Sequence, residues 1–500
     1  MQRMRRRLSL AATICGVFFV AYQFAEAQIR KVGPEFQVNT FTHASEMQPR
    51  VDVLDNDRFI SVWLGPNPDR SALYGVRAQV FQRDGSPVGT EFLITSDAVN
   101  DDYIEMYPAI AHSPDSSFVV AWDSYYSSDE SFIGAQRFDS SLQPFGSNVQ
   151  AGPSTAGELW PSVATDATGN FVIVWTEAGS VDNWHPIIRA RIFDAFGQPK
   201  TEQFAITNNS GSANSATVAM YPDGDFIVTW DQTGRDGSGA GIFGQRFNIQ
   251  GERLGEEFQI NSFAVSEQRW PKVAVSANED FVVAWQSYGE DGSGYGIVGQ
   301  RYRRDGIRIG SNFLVNTYTA DQQTSPSAAM DATGGFVILW ESYKSLFTDE
   351  GSQDGSGSGV FGQRFDSNAV PQGLEFQVNT YTRGDQGNLR LRESDVASWS
   401  NGDFVAVWTS PDQDGDRAGV FGQRFSVDPA VGSVCGDATE DLLLTASDAL
   451  AVLRTAIGTG ACEVCVCDTN ASGTVTATDA LWVLRAVLGL PAAVHCTSCP

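Results

Sequence analysis

The chain has 500 residues, and its 60 acidic against 33 basic side chains give a formal net charge of −27. A surface this acidic repels phosphate, which argues against a nucleic-acid partner. The length exceeds what one ordinary hydrophobic core supports, so it predicts either several domains or one large ring of repeats.

Residues 1–27 have the layout of a secretory signal peptide. The basic start MQRMRRR is followed by an apolar run over residues 8–24 and then by Ala25, Glu26 and Ala27, with cleavage expected after Ala27. A single membrane anchor is the alternative, but the run is shorter than the ~20 apolar residues that span a bilayer. We therefore expect bacterial export to the cell surface or the medium, with no membrane span after cleavage.

One short apolar phrase that ends in tryptophan recurs along residues 28–427. Its form at Phe281 is FVVAW, and it is apolar at nearly every position, which indicates a strand buried on both faces. Neighbouring copies are 53 to 68 residues apart, a spacing typical of repeat architectures. The seven copies end at Trp63, Trp122, Trp175, Trp230, Trp285, Trp340 and Trp408.

Further phrases around each copy mark additional strands. A PSVA-type segment precedes the tryptophan strand, and GQRF-type and EFQVN-type segments follow it. Four short strands joined by Gly and Asp turns fit a repeat of about 55 residues, the size of one propeller blade. The chain opens with EFQVN at Glu35, and the seventh repeat stops after GQRF at Phe425. The predicted fold is therefore mainly β, a seven-bladed β-propeller whose N-terminal strand closes the last blade.

The repeats resemble those of large secreted bacterial proteins that carry EFQVNT, DGSG and GQRF phrases, a resemblance that implies the propeller fold and no particular activity. Two of these phrases contain candidate binding residues. The DGSG loops at Asp236, Asp291 and Asp354 either hold calcium or are ordinary exposed turns. The Arg of GQRF, such as Arg246, either joins a ring that binds an anionic sugar or pairs with a neighbouring acidic loop.

No catalytic motif is visible. The four His residues are His43, His112, His185 and His495, which lack HExxH spacing, and no GxSxG motif occurs. Acidic residues are too numerous for a glycosidase pair to be chosen without knowing their separation in space. The sequence therefore favours a non-catalytic protein.

The composition changes after a linker at residues 428–434. Residues 435–500 contain two matching helical segments, DALAVLRTAIG and DALWVLRAVLG, each preceded by a twelve-residue loop. The second loop follows the calcium-loop pattern except that Asp replaces the final Glu, whereas the first has Leu442 where the chain must turn sharply. The candidate calcium ligands are Asp468, Asn470, Ser472, Thr474, Thr476 and Asp479 in the second loop, and Asp437, Thr439, Asp441, Leu443 and Asp448 in the first.

These duplicated loops and helices resemble a type I dockerin, the module that attaches polysaccharide-degrading enzymes to the cohesins of a scaffold. The resemblance implies a small α-helical domain that binds two Ca²⁺ ions and has a cohesin-like or other surface partner. It places Ser447, Arg454, Thr478 and Arg485 at the partner surface. The chain departs from the common pattern at neighbouring positions and in its extra cysteines, which leaves the identity of the partner open.

Six cysteines fall in this small C-terminal domain: Cys435, Cys462, Cys465, Cys467, Cys496 and Cys499. Two CxxC pairs match the spacing of a zinc ribbon. Behind a signal peptide, however, an even set of six favours disulfides, which would staple a module too small to bury much core. Fifteen pairings are possible, and the sequence does not choose among them.

Together these patterns predict a secreted calcium-binding protein without catalytic activity. Its tail would dock on a surface or scaffold partner, and its propeller would present a ligand surface, with carbohydrate as the candidate ligand. Two alternatives stay open. One is a polysaccharide-degrading hydrolase or lyase built on the propeller, and the other is a structural surface or matrix protein.

Overall fold

The computed structural model describes residues 29–67, 74–95, 104–127, 130–152, 157–178, 185–207, 211–277, 280–344, 353–387, 393–427, 446–457 and 474–487. Within these residues the chain forms 28 strands and two helices. The strands make seven four-stranded antiparallel sheets, which confirms the mainly β, seven-bladed propeller. Among the described helices, none has the length and apolar character needed to cross a membrane.

The innermost strands of the seven sheets line a central channel, and each sheet is one blade. From the channel outward, the strands of the first three blades are, in blade 1, β2 (Met47–Val53), β3 (Arg58–Pro66), β4 (Tyr74–Gln82) and β5 (Pro87–Leu93); in blade 2, β6 (Ile104–His112), β7 (Phe118–Ser127), β8 (Glu130–Phe138) and β9 (Pro144–Gln150); and in blade 3, β10 (Glu158–Thr165), β11 (Phe171–Glu177), β12 (Ile187–Phe193) and β13 (Phe204–Ala205). In the same order, blade 4 contains β14 (Ala213–Met220), β15 (Phe226–Thr233), β16 (Ala240–Phe247) and β17 (Phe258–Gln259), and blade 5 contains β18 (Gln268–Val275), β19 (Asp280–Tyr288), β20 (Tyr295–Arg303) and β21 (Arg308–Leu314). Blade 6 contains β22 (Gln322–Met330), β23 (Phe336–Tyr343), β24 (Ser358–Phe365) and β25 (Phe376–Gln377), and blade 7 contains β26 (Ser394–Ser398), β27 (Phe404–Pro411), β28 (Ala418–Ser426) and β1 (Arg30–Gln37).

The first strand of the chain closes the ring. β1 pairs antiparallel with β28, from Arg30 opposite Ser426 to Gln37 opposite Phe421. Glu35, the Glu of EFQVN, also accepts hydrogen bonds from the backbone N–H and the hydroxyl of Thr380 at 2.7 and 2.8 Å. The predicted closure by the N-terminal strand is confirmed, and the last blade has no open edge on that side.

The tryptophan strands are buried on both faces, as their apolar sequence predicts. All seven tryptophans are buried. The aromatic residue that opens each apolar phrase stacks on the last residue of the GQRF-type phrase, with ring centroids 4.6 to 5.2 Å apart. The stacked pairs are Phe59–Phe81, Phe118–Phe138, Phe171–Phe193, Phe226–Phe247, Phe281–Tyr302, Phe336–Phe365 and Phe404–Phe425.

GQRF-type and EFQVN-type phrases recur together because they pack against each other. A Cβ on Gly299 would lie only 2.5 Å from the ring of Phe313, so that position has no room for a side chain. The amide of the next residue, Gln300, donates to the carbonyls of Arg301 and Ile309 at 2.9 and 3.1 Å. This amide bridges β20 and β21 where their pairing is irregular.

The Asn of EFQVN ties the outer strand of a blade to the loop above it. Asn261 donates to Asp236, to the Phe263 carbonyl and to Gln268 at 3.2, 2.9 and 3.1 Å, and its Oδ1 accepts the N–H of Ile242 at 2.8 Å. Asn39, Asn316 and Asn379 make the same contact with an N–H, and Thr95 and Thr207 replace them in blades 1 and 3. The Asp of the DGSG loop thus already serves a buried structural network.

The Arg of GQRF contacts nearby loops of the propeller. Arg301 pairs with Asp280 at 3.3 Å, and Arg364 pairs with Asp331 at 3.5 Å. Arg424 donates to the Arg83 carbonyl at 2.8 Å, across the closure of the ring. These contacts support the structural alternative over a ring of free guanidinium groups that binds sugar.

Two helices are described in the C-terminal region, α1 (Ala446–Ala456) and α2 (Ala477–Val487). They pack against each other through Val452 and Val483, both fully buried, with Ala449 and Ala480 beside them. The two predicted helical segments therefore exist, whereas the calcium module around them stays a prediction.

We predict that Asn261→Ala lowers the thermal unfolding midpoint more than Asn261→Thr does. Alanine leaves the buried N–H of Ile242 without an acceptor, which costs about 1–3 kcal/mol for each such group. Threonine keeps an acceptor, as Thr207 does in blade 3. Differential scanning calorimetry of the three chains tests this order, and equal midpoints for the two variants would contradict it.

Candidate functional site

The central channel contains a cavity of about 290 Å³ to which all seven inner strands contribute. Its lining includes Tyr107, Trp160 and Trp270 near the start of three inner strands. Farther along the inner strands it is lined by charged and hydroxyl side chains. A concave site with aromatic walls and a few converging polar groups is the usual form of a ligand pocket.

The aromatic residues stand on a β-bulge that repeats around the ring. In blade 5 the pairing passes from Arg269 opposite Gln286 to Lys272 opposite Ala284, so one extra residue is inserted. In six blades the residue at this position has a left-handed backbone, which costs about 1–3 kcal/mol for a residue other than glycine. These six residues, with φ between 50° and 57°, form what we call the channel mouth: Gln48, Tyr107, Trp160, Ser215, Trp270 and Ser325.

The bulge itself does not require aromatic side chains. Ser215 and Ser325 adopt the same strained backbone as Trp160 and Trp270. Bulky residues fit a left-handed conformation least well, so their presence at this position needs another reason. Trp160 is partly exposed and lies edge-on to Tyr107, with ring centroids 6.2 Å apart.

Farther along the inner strands, polar side chains also line the channel. Three of these are charged, Arg50, Lys272 and Asp395, and the hydroxyl residues Ser162 and Thr217 stand between them. Burial raises the pKa of Asp395, and the positive charges of Arg50 and Lys272 oppose that rise without cancelling it. The channel thus combines both signs of charge with hydroxyl groups, a surface suited to hydrogen bonding.

Behind the channel mouth, side chains from one blade hold the backbone of the next. Asp231 accepts the N–H of Trp270 at 3.4 Å, and Gln286 accepts that of Ser325 at 3.2 Å. Gln48 likewise accepts the N–H of Tyr107 at 2.9 Å. These bonds hold the strained backbone of Tyr107, Trp270 and Ser325 in place.

A histidine and an aspartate join blades 1 and 2 near the far end of the inner strands. Asp52 contacts Nδ1 of His112 at 3.0 Å and accepts its backbone N–H at 3.0 Å. Burial lowers the pKa of His112, but the Asp52 carboxylate outweighs this effect, so the net pKa is raised. His112 could not be singled out from sequence, because its partner lies 60 residues away.

Only part of the predicted calcium set can be located. In the described residues, Thr476 donates from its N–H and its hydroxyl to Asp479 Oδ2, at 2.8 Å each, which caps the start of α2. Thr474 is exposed just before this cap, and Asp448 lies in α1. The remaining candidate ligands lie outside the described residues: Asp437, Thr439, Asp441, Leu443, Asp468, Asn470 and Ser472.

The predicted cysteine framework cannot be located either, because Cys435, Cys462, Cys465, Cys467, Cys496 and Cys499 all lie outside the described residues. No group of three or more His, Cys, Asp or Glu side chains that could hold a metal occurs in the described part of the chain.

In the DGSG loop of blade 4, Asp236 accepts the N–H of Ser238 at 3.2 Å, which is the geometry of an ordinary turn.

The helix pair presents an apolar surface that the sequence analysis did not select. Among the predicted partner residues, Arg454, Thr478 and Arg485 are exposed, and Ser447 lies in the first turn of α1. Beside them four leucines are 38 to 53 % exposed, in two matching pairs. They are Leu450 and Leu453 on α1, and Leu481 and Leu484 on α2. The available sequence signal for this surface was the recurrence of DAL and VLR in both helical segments.

The sequence matches no protein-family model and no curated protein. Among solved structures it is similar to an α-L-arabinanase of Penicillium chrysogenum, with 12 % identity, coverage of 79 % of this chain and 98 % of that one, and a TM-score of 0.44. It is also similar to a polysaccharide lyase, with 10 % identity, coverage of 80 % of this chain and 100 % of that one, and a TM-score of 0.48. For the β-propeller domain of the Trilobed protease of Pyrococcus furiosus the identity is 11 %, the coverage is 77 % of this chain and 94 % of that one, and the TM-score is 0.42. At these values the likeness carries no inference about activity or ligand.

We predict that the contact between His112 and Asp52 stabilises the propeller more at low pH than at high pH. Because the folded pKa of His112 is raised, its contribution is fully present below the unfolded pKa of about 6.5 and is lost as the pH rises through the folded value. Thermal midpoints of the parent chain and of His112→Gln should therefore converge between roughly pH 6 and pH 9. A difference that does not change with pH would contradict this assignment.

Proposed function

We propose that the channel mouth binds a carbohydrate. The observation that carries the proposal is the placement of Tyr107, Trp160 and Trp270 on strained bulges where serine also fits. An aromatic face covers the apolar C–H face of a sugar ring, and the hydroxyl and charged groups deeper in the channel provide partners for sugar hydroxyls. The preorganised backbone reduces the entropy that is lost on binding.

The charge of the protein narrows the class of ligand. Aromatic platforms also stack on nucleic-acid bases, but those sites need a basic groove for phosphate, and this chain has a net charge of −27. In the cavity the negative charge of Asp395 partly offsets the positive charges of Arg50 and Lys272. A neutral or weakly charged, polyhydroxylated ligand therefore fits better than a polyanion.

The composition of the cavity favours binding without turnover. Among the described residues that line it, Asp395 is the only carboxylate. Hydrolysis of a glycosidic bond generally needs two carboxyl groups on opposite sides of that bond. We therefore place the protein among carbohydrate-binding proteins, and turnover of a glycan would move it to the polysaccharide-degrading alternative.

We further propose that the C-terminal region is a calcium-dependent docking module on an exported chain. The matched helices, their buried contact through Val452 and Val483, and the matching exposed leucines support this proposal. In this scheme the twelve-residue loops bind two Ca²⁺ ions, disulfides staple the loops, and the exposed helix surface meets a cohesin-like or other surface protein. The propeller would thereby be held at a site where its glycan is abundant.

We predict that Trp160→Ser and Trp270→Ser each weaken glycan binding by at least about tenfold, as expected for aromatic anchors at the centre of a site. Each change copies the serine that blades 4 and 6 carry at the same bulge, so the fold should be kept. The measurement is a glycan array followed by calorimetry on any oligosaccharide retained.

The matched control for the glycan experiment is Phe196→Ser, which removes an aromatic side chain that is 66 % exposed in a turn outside the channel. Its affinity should equal that of the parent chain. Retention of no glycan by the parent, or equal losses in all three variants, would count against a binding site at the channel mouth.

We predict that an oxidised fragment of residues 428–500 gains helix on calcium binding and that Asp468→Ala weakens binding more than Asp437→Ala. The second loop has Gly473 at its sharp turn, whereas the first has Leu442, which resists that backbone. Calorimetry with circular dichroism gives affinity and helix content together. The calcium module would be excluded by a fragment that ignores calcium, or that takes up zinc only when reduced.

A further inference from the structure

Two glutamates from neighbouring blades meet behind the channel mouth and are buried. Glu341 follows Trp340 on β23, and Glu393 immediately precedes β26; both are 0 % exposed. Glu341 Oε1 accepts the backbone N–H of Glu393 at 3.0 Å. A Cβ on Gly387 would lie 2.7 Å from the carboxyl carbon of Glu341, so the backbone of that loop packs directly on the carboxylate.

The carboxylates of this pair have few donors. The hydroxyl of Ser325 hydrogen-bonds Glu341 and that of Thr409 hydrogen-bonds Glu393, and both hydroxyl residues are buried, at 3 % and 5 % exposed. Apart from these hydroxyls and the N–H of Glu393, no donor among the described residues makes a well-formed hydrogen bond to the two carboxylates. Burying ionised carboxylates with so few partners is unfavourable, so this arrangement calls for a positive charge or a proton.

The nearby cation does not neutralise the pair. Arg50 lowers the pKa of Glu341 and Glu393, but the same guanidinium also acts, together with Lys272, on Asp395. Burial and the neighbouring charge of Glu393 still raise the pKa of Glu341 well above its ordinary value. Burial raises the pKa of Glu393 to about 7.

A cavity reaches one member of this pair, Glu393. It has a volume of about 230 Å³, and its lining includes Glu393, Thr409 and Asp385. Asp385 is exposed, whereas Glu393 and Thr409 are buried, so the cavity leads inward from one carboxylate to another. This volume has room for an ion and several waters, since one water takes about 30 Å³ of liquid.

We propose that Glu341 and Glu393, with the hydroxyls of Ser325 and Thr409, bind a divalent cation of the calcium type between blades 6 and 7. Calcium takes six to eight hard oxygen ligands in flexible geometry, and waters in the cavity complete such a set. The cation neutralises the buried carboxylates and joins the last two blades beside the closure of the ring. This site is independent of the twelve-residue loops in the C-terminal region.

The test is calcium titration of the full chain by calorimetry near pH 7, with the C-terminal loops inactivated by Asp437→Ala and Asp468→Ala. We expect one remaining site per chain. Glu341→Gln and Glu393→Gln should each weaken it roughly tenfold or more, because ligand charge sets calcium affinity. Glu341→Gln keeps the acceptor for the backbone N–H, as Gln286 does in blade 5. Circular dichroism in the tryptophan region confirms that each variant is folded.

The matched control is Glu256→Gln, which removes the same charge from an exposed position of blade 4 and should leave the affinity unchanged. Magnesium should bind more weakly, since it demands a rigid octahedral set of ligands. The proposal is overturned if the loop-inactivated chain binds no calcium, or if binding survives both glutamine variants. Absence of binding with release of a proton from the pair between roughly pH 6 and pH 9 would show that the glutamates share a proton instead.

Discussion

Shared burial is the constraint on which this structure depends. Each of the seven main hydrophobic clusters of the propeller joins two neighbouring blades, so no blade has a complete core of its own. A tryptophan strand buries one face against the preceding blade and the other against the next. The cluster between blades 7 and 1 contains Trp63 and Trp399, and closure by β1 completes the sheet on one side of it. The ring is stable as a whole because each blade supplies part of the hydrophobic core that it shares with each neighbour.

This arrangement leaves the inner strands free to carry function. Their outer neighbours fix their position, and in six blades the bulge near the start of the inner strand turns a side chain toward the channel. Blades 2, 3 and 5 use that position for aromatic residues, whereas blades 4 and 6 use it for serine. A sevenfold backbone thus presents an asymmetric set of side chains. The asymmetry is the basis of the proposed ligand contact, since the shared backbone does not itself require aromatic side chains.

The structural features that every blade shares were predictable from the sequence, whereas the features that only individual blades have were missed. Seven tryptophan strands gave the number of blades, and EFQVN at Glu35 gave the closure, because these phrases report burial that every blade needs. The channel mouth was missed because no residue type encodes its left-handed backbone: Gln48, Trp160 and Ser215 all adopt it. The available sequence signal for the channel mouth was the aromatic residue directly before the proline of a Pro-led segment, as in YP and WP. The DGSG carboxylates could not be assigned from sequence, since Asn261 approaches Asp236 only through the fold.

Comparison among blades separates the needs of the fold from the needs of function. The residue after the tryptophan holds the N–H of the next blade, and Asp231, Gln286 and Glu341 all perform that task. Gln286 shows that an uncharged amide is sufficient for it. A buried carboxylate at the same position is therefore an electrostatic cost that the backbone contact does not explain. At Asp231 the guanidinium of Arg269 lies 3.6 Å away and offsets this cost. At Glu341 the neighbouring group is a second buried carboxylate, Glu393, and Arg50 only partly offsets the cost of their burial, which is the imbalance that the proposed cation would correct.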